Sequence, residues 1–181
     1  MNLKEQKELA ELEVVRQDLS SKLGEKIQSR IDRLASQCLD DFDKFFRSQG
    51  FVITKQHWQI QAEYKNFSIT LSHEDPKQAF FATYLPFTLK ICPVVGSKTE
   101  HQVFLVDERP SAAFSFADNN TVNGMRNSIQ NLLDKLNTFD DTQWVFELRQ
   151  AQKPKTLVVG QSKQIFPTMT AVLQFLFEQD V

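Results

Sequence analysis

The sequence predicts an α+β protein, in which an N-terminal helical arm precedes a mostly antiparallel sheet and two C-terminal helices pack on one face of that sheet. Two observations support this prediction. Up to residue 49, apolar residues recur every three or four positions, which indicates a helix. Between residues 51 and 116, apolar and polar residues alternate in several stretches, which indicates half-buried strands.

The change between the two patterns occurs at Gly50. Glycine readily adopts the left-handed backbone conformation that ends many helices, and the residue after it often packs back against the last helical turn. Phe51 is placed to fold back in this way onto Phe45 or Phe46. We therefore predict a helical arm over residues 1–49 and an α+β body over residues 50–181.

The arm carries an apolar stripe whose spacing is irregular. Its members are Leu9, Leu12, Leu19, Leu23, Ile27, Ile31, Leu34, Cys38, Phe42 and Phe45. The steps resemble the heptads of a coiled coil, with a charged residue, Arg16, in the widest gap. Gly24 follows two serines and costs ~1 kcal/mol inside a helix. We favour two helical segments with a break near residues 20–24 over one long helix with a weak point.

The first segment of the arm has few apolar residues and many charges, and such a short helix is marginal in water on its own. We expect the apolar side chains of this segment, which ends at Leu19, to bind a partner through a coiled-coil-like contact together with two residues that follow it. The full set is Leu9, Leu12, Val15, Leu19, Leu23 and Ile27. The partner is the second helical segment, another copy of the chain in a homodimer, or a different protein. The alternative is a frayed, solvated helix tip.

A possible basic ridge runs beside the stripe, formed by Lys22, Lys26, Arg30 and Arg33. Such a ridge is typical of a surface that binds phosphate or an acidic partner. Acidic residues are interspersed, and the whole chain has 21 basic and 23 acidic residues, for a formal charge of −2. Nucleic-acid binding usually needs a basic excess, so it is not favoured. A solvated, charge-balanced face is the favoured interpretation.

The predicted order of the body is about five strands, a helix, two strands and a helix. A strand opens at Val52-Ile53, and residues 58–65 and 67–71 form a hairpin. The other predicted strands cover residues 79–91, 103–106, 112–116, 144–148 and 157–159. Pro86 implies a bulge or a local edge, because proline cannot donate to the ladder. Cap-forming residues 118–121 precede a helix that reaches Leu136. Pro167 fits the first turn of the last helix.

No catalytic, metal or cofactor site is predicted with any specificity. Glycines are not clustered, and His57, His73 and His101 have no metal-ligand spacing. The one string that suggests chemistry is Glu63-Tyr64-Lys65. An acid and a lysine two apart on a strand would project from the same face, an arrangement found in metal-dependent nucleases. With Asp107 it gives an alternative hypothesis of nuclease activity.

The remaining sequence features indicate a cytoplasmic protein. Cys38 and Cys92 are expected to be reduced and buried. The N-terminus is charged and lacks the apolar region of a signal peptide. No stretch approaches the ~18 apolar residues of a membrane span.

From Lys26 onward, the predicted order of helix, three strands, helix, two strands and helix resembles that of small acidic secretion chaperones. That resemblance implies dimerisation and the wrapping of an unfolded client. The extra strands between residues 103 and 116 and the long arm depart from it, so client binding is not assigned to any residue. The sequence as a whole favours a non-catalytic interaction or accessory subunit that uses its helical arm for self-association or partner binding.

Overall fold

The computed structural model describes residues 2–74, 84–107, 120–141, 143–150 and 164–178. The elements in chain order are α1 (Leu3–Ser48), β1 (Val52–Gln56), β2 (Gln59–Tyr64), β3 (Phe67–His73), β4 (Tyr84–Cys92), β5 (Thr99–Asp107), α2 (Val122–Asn137), β6 (Trp144–Gln150), β7 (Gln164–Phe166) and α3 (Met169–Phe177). The predicted α+β class is confirmed: a long N-terminal helix, a seven-stranded antiparallel sheet and two short helices.

The strands form one sheet in the order β1 to β7, and every neighbouring pair is antiparallel. Each strand therefore pairs with the strands that precede and follow it along the chain. The register places Ile60, Leu71 and Leu89 in one row across the sheet, and all three are fully buried. The adjacent row contains Gln59 and Ser72 on the opposite face. The alternation seen in the sequence thus separates an apolar face from a polar one.

Pro86 is paired with Phe104 of β5. On the other side of β4, the last described pair with β3 is His73 with Phe87, so β3 ends before it reaches the proline. Pro86, which has no N–H to donate, therefore lies where β4 has no pairing residue of β3 beside it and is locally an edge strand. This is one of the two arrangements that the sequence predicted.

α1 is one uninterrupted helix through residues 20–24, so the predicted break in this region is wrong. Gly24 is exposed, and nothing lies within 4 Å of the position a Cβ would take. An isolated glycine weakens a helix without ending it when the turns on both sides continue the hydrogen bonding.

The chain divides into two compact units. Unit 1 comprises residues 1–29 and 108–143, and unit 2 comprises residues 30–107 and 144–181. This division differs from the predicted boundary at residue 50, because the residues of α1 from Ile31 to Phe46 that are buried belong to unit 2.

In unit 2, the C-terminal part of α1 and helix α3 lie on the apolar face of the sheet. The ring of Phe46 is 5.3 Å from that of Phe51 and 5.3 Å from that of Phe177. Phe166 of β7 contacts Phe175 of α3, with ring centroids 5.2 Å apart. The core of unit 2 therefore combines aromatic rings in edge-to-face and tilted contacts with aliphatic side chains such as Leu71 and Leu89 of the sheet.

In unit 1, α2 begins at a cap. The Thr121 side chain accepts a hydrogen bond from the N–H of Gly124, so the predicted start of this helix is confirmed. The start of α3 differs from the prediction: Thr168 is its cap, and Pro167 precedes the helix. The strand β7 was not predicted. The predicted strands at residues 112–116 and 157–159, and residues 79–83 of another, lie outside the described residues.

None of the described helices contains a segment that is both apolar enough and long enough to cross a lipid bilayer.

Candidate protein-binding surface

The residues predicted to bind a partner all lie on the part of α1 that belongs to unit 1. The structure places five of them, Leu9, Leu12, Leu19, Leu23 and Ile27, in half-buried positions, and Val15 is 47% exposed. None of residues 2–29 is buried, whereas six residues of α1 from Ile31 onward are. One helix therefore has buried apolar residues in its unit 2 part and none in its unit 1 part.

The two adjacent valines of α1 face different sides of the helix. Val15 is three residues after Leu12 and four residues before Leu19, which places it beside the half-buried stripe. Val14 is 67% exposed and is rotated about 100° around the helix axis from Val15. The exposed area of Val15 is therefore continuous with the stripe, and that of Val14 is not.

Helix α2 lies beside the unit 1 part of α1 and runs in the same direction. Near its start, Arg126 Nη2 is 2.6 Å from Glu8 Oε1. Just past its end, Asp140 Oδ2 is 3.3 Å from Lys26 Nζ, and the Lys26 ammonium lies 5.6 Å from the centroid of the Phe139 ring. Turning α2 around would bring Arg126 toward Lys26, so the charges favour the observed orientation.

The apolar side of α2 is only partly covered. Met125 and Phe139 are buried. Between them, Ile129, Leu132, Leu133 and Leu136 are half-buried, as are the stripe residues of α1 from Leu9 to Ile27. Unit 1 thus contains a layer of two helices whose apolar side chains retain exposed area within a single chain.

A charged pair lies in the gap of the α1 stripe. Arg16 is half-buried, and its Nη2 is 2.6 Å from Glu13 Oε1. Hydrogen bonds from Arg16 and then Gln17 lower the pKa of Glu13 from 4.5 to about 2. The same pairing raises the pKa of Arg16. Both groups therefore stay ionised near neutral pH and neutralise each other.

The possible basic ridge is largely charge-balanced. Lys22 Nζ is 2.7 Å from Asp18 Oδ2, and Lys26 contacts Asp140 as described above. These two lysines line a shallow depression of about 430 Å³ together with Glu25, Ser29 and Leu136. Arg33 is exposed, and Arg30 is half-buried in unit 2. The ion pairs support a balanced helix face over a phosphate-binding ridge.

The structure corrects the geometry expected of Glu63 and Lys65. β2 ends at Tyr64, and Lys65 lies in the two-residue turn that follows, with a φ of 54°. Its ammonium lies 5.4 Å from the centroid of the Tyr64 ring, while Glu63 accepts a hydrogen bond from Gln61 Nε2 at 2.6 Å. The two side chains do not project from one strand face, because the turn ends the alternation. The side chain of Asp107 lies outside the described part of the structure.

Among the described residues, no group of three or more His, Cys, Asp or Glu side chains is arranged to hold a metal ion. Comparisons of the chain with protein-family models, with curated proteins and with solved structures find no match.

Sequence reasoning missed the pairing of α2 with the start of α1. The periodic apolar residues of both helices were visible, but more than a hundred positions separate Glu8 from Arg126. Nothing local in either segment indicates which distant helix will contact it.

Proposed function

We propose that this protein is a non-catalytic assembly protein that self-associates through the helical surface of unit 1. We define this surface as Leu12, Val15 and Leu19 of α1 together with Ile129, Leu132, Leu133 and Leu136 of α2. The observation that supports the proposal is the burial contrast along α1, which has no buried residue before Ile31.

The free energy of burial favours covering this surface. The burial of apolar area stabilises a complex by roughly 25 cal/mol for each Å² removed from water. Within one chain, each side chain of the defined surface keeps part of its apolar area exposed to water. Contiguous exposed apolar area on two adjacent helices is typical of protein interfaces.

A second copy of the chain is the partner that the surface fits best. Two copies would contribute two helices each and complete a four-helix bundle, in which each helix buries one apolar stripe. Helix α2 has 16 residues, so it is ~24 Å long at 1.5 Å per residue. Four helices of this length can bury an interface within the ~1,200–2,000 Å² that stable complexes need.

The charges of the surface also permit contact between identical copies. Glu8, Glu13 and Lys26 each have an oppositely charged partner within the same chain. Bringing two identical surfaces together therefore does not leave these three charges uncompensated, which would otherwise cost several kcal/mol.

The adjacent valines provide a matched test. Glutamate has a higher helix propensity than valine, so neither Val15→Glu nor Val14→Glu is expected to weaken α1. We expect Val15→Glu to convert a dimer to a monomer, as measured by light scattering after size-exclusion chromatography, because it buries an unpaired charge in the interface. Val14→Glu should remain dimeric. Equal masses for the wild type and Val15→Glu would contradict the proposed surface.

A further inference from the structure

β1 forms an open edge of the sheet in the described structure. It pairs only with β2, from Val52 opposite Glu63 to Gln56 opposite Gln59. Four of its five residues are exposed, and Val52 is 69% exposed. The opposite edge strand, β7, has three residues. Because short edge strands offer little to pair with, β1 is the more accessible of the two edges.

The register identifies the backbone groups that face outward. Gln56 and Gln59 flank a two-residue turn, so they form a pair that exchanges both backbone hydrogen bonds with each other. Hydrogen-bonded pairs alternate along an antiparallel ladder. The N–H and C=O groups of Ile53 and Lys55 therefore point away from β2, toward the open side.

Two of the usual protections of an edge strand, a proline and a bulge, are absent from β1. The strand contains no proline, and its register with β2 is continuous, without a bulge. Its one charged residue is Lys55, whose Nζ lies 3.1 Å from Asp40 Oδ1 and 3.1 Å from Asp43 Oδ2 on α1. This lysine is tied to the helix on the apolar face of the sheet and does not shield the outward backbone groups.

We propose that β1 binds an extended peptide segment of another protein, which adds to the sheet as an eighth strand. The backbone of Ile53 and Lys55 would supply the hydrogen bonds, as in other cases of strand addition. Uncharged β-branched or aromatic side chains of the peptide fit beside Val52 on one face and Ile53 on the other. This inference does not depend on self-association through unit 1.

The size of the edge favours a peptide over a second copy. Two β1 strands pairing edge to edge would join five residues from each copy, and such a contact is small against the ~1,200 Å² of a stable dimer. A peptide binds as a single extended strand and can place side chains on both faces of the sheet.

Selection from a library of random linear peptides tests this proposal. Proline at position 55 removes an outward N–H without breaking a bond to β2, so Lys55→Pro is expected to fold. Lys55→Met is the matched control, because it loses the ion pairs to Asp40 and Asp43 but keeps the N–H. The library is selected on the wild type alone, and enriched peptides are synthesised and titrated against the wild type and both variants.

We expect the selected peptides to bind the wild type and Lys55→Met alike, and to bind Lys55→Pro about tenfold more weakly through the lost hydrogen bond. Amide hydrogen exchange at Ile53 and Lys55 should slow when peptide is bound. The proposal is overturned if no peptide is enriched, or if the selected peptides bind Lys55→Pro as well as the wild type. It is also overturned if the wild type forms a dimer that Lys55→Pro abolishes, since the edge would then pair with a second copy.

Discussion

The N–H of Phe51 donates a hydrogen bond to the carbonyl oxygen of Phe46 across 3.1 Å, and the rings of these two residues lie 5.3 Å apart. Between them, Gly50 has a φ of 83°, and its N–H donates to the carbonyl of Arg47. These are the two hydrogen bonds of a Schellman motif with its accompanying apolar contact. The motif ends α1 and directs the chain into β1.

Replacing Gly50 with alanine should lower the free energy of unfolding by about 1–2 kcal/mol, because an L-residue is strained at positive φ. Chemical denaturation followed by circular dichroism measures the change. The matched control is Gly24→Ala in the interior of α1, where nothing would contact the added Cβ. This change should raise helix stability by ~1 kcal/mol. If Gly50→Ala were as stable as the wild type, the motif would not be what ends the helix.

Local features of the sequence predicted the parts of the fold that depend on neighbouring residues. Gly50 with Phe51 marked the end of the first helix, and Thr121 marked the start of α2. Alternation over residues 58–65 predicted one covered face, on which Ile60 and Ala62 are buried, whereas Trp58 and Tyr64 at its two ends are exposed. Each of these signals reflects the geometry of a few consecutive residues.

The features that the sequence did not reveal depend on distant contacts or on weak local signals. Ile165 of β7 is 56% exposed on a three-residue edge strand, which leaves almost no pattern to detect. Gly24 suggested a break, but the turns on both sides keep the helix continuous. The position of α2 beside the first residues of α1 brings Glu8 next to Arg126, and no local spacing encodes this long-range contact.

His101 should make the stability of the protein sensitive to acid. It is half-buried, its Nδ1 is buried without a hydrogen-bond partner among the described residues, and burial lowers its pKa below 6.5. A histidine whose pKa is lower in the folded state than in the unfolded state contributes stability that is fully present above pH 6.5. This contribution is lost as the pH falls through the pKa of the folded state.

Replacing His101 with leucine tests this effect, because the residue opposite it on β4 is Leu89. We expect His101→Leu to lose less stability than the wild type when denaturation is repeated at decreasing pH below 6.5. Parallel pH profiles for the two proteins would show that protonation of His101 is not coupled to unfolding.

Cys38 should be inert while the protein is folded. Its side chain is 1% exposed, and burial, with a further contribution from Asp41, raises the pKa of the thiol far above its ordinary value. The thiolate is the reactive form, so labelling by a maleimide at neutral pH should spare Cys38. The half-buried Cys92 should be labelled first, and both should react in denaturant. Mass spectrometry of the labelled peptides measures the order, and equal rates in the folded protein would contradict the burial of Cys38.

The mass of the full-length wild-type chain in solution tests the proposed assembly function most directly. Sedimentation equilibrium over a range of concentrations should give twice the chain mass of 21.0 kDa at high concentration. The apparent mass should fall toward that of one chain on dilution, by mass action. A mass of 21.0 kDa at every concentration would contradict self-association through the helical surface of unit 1.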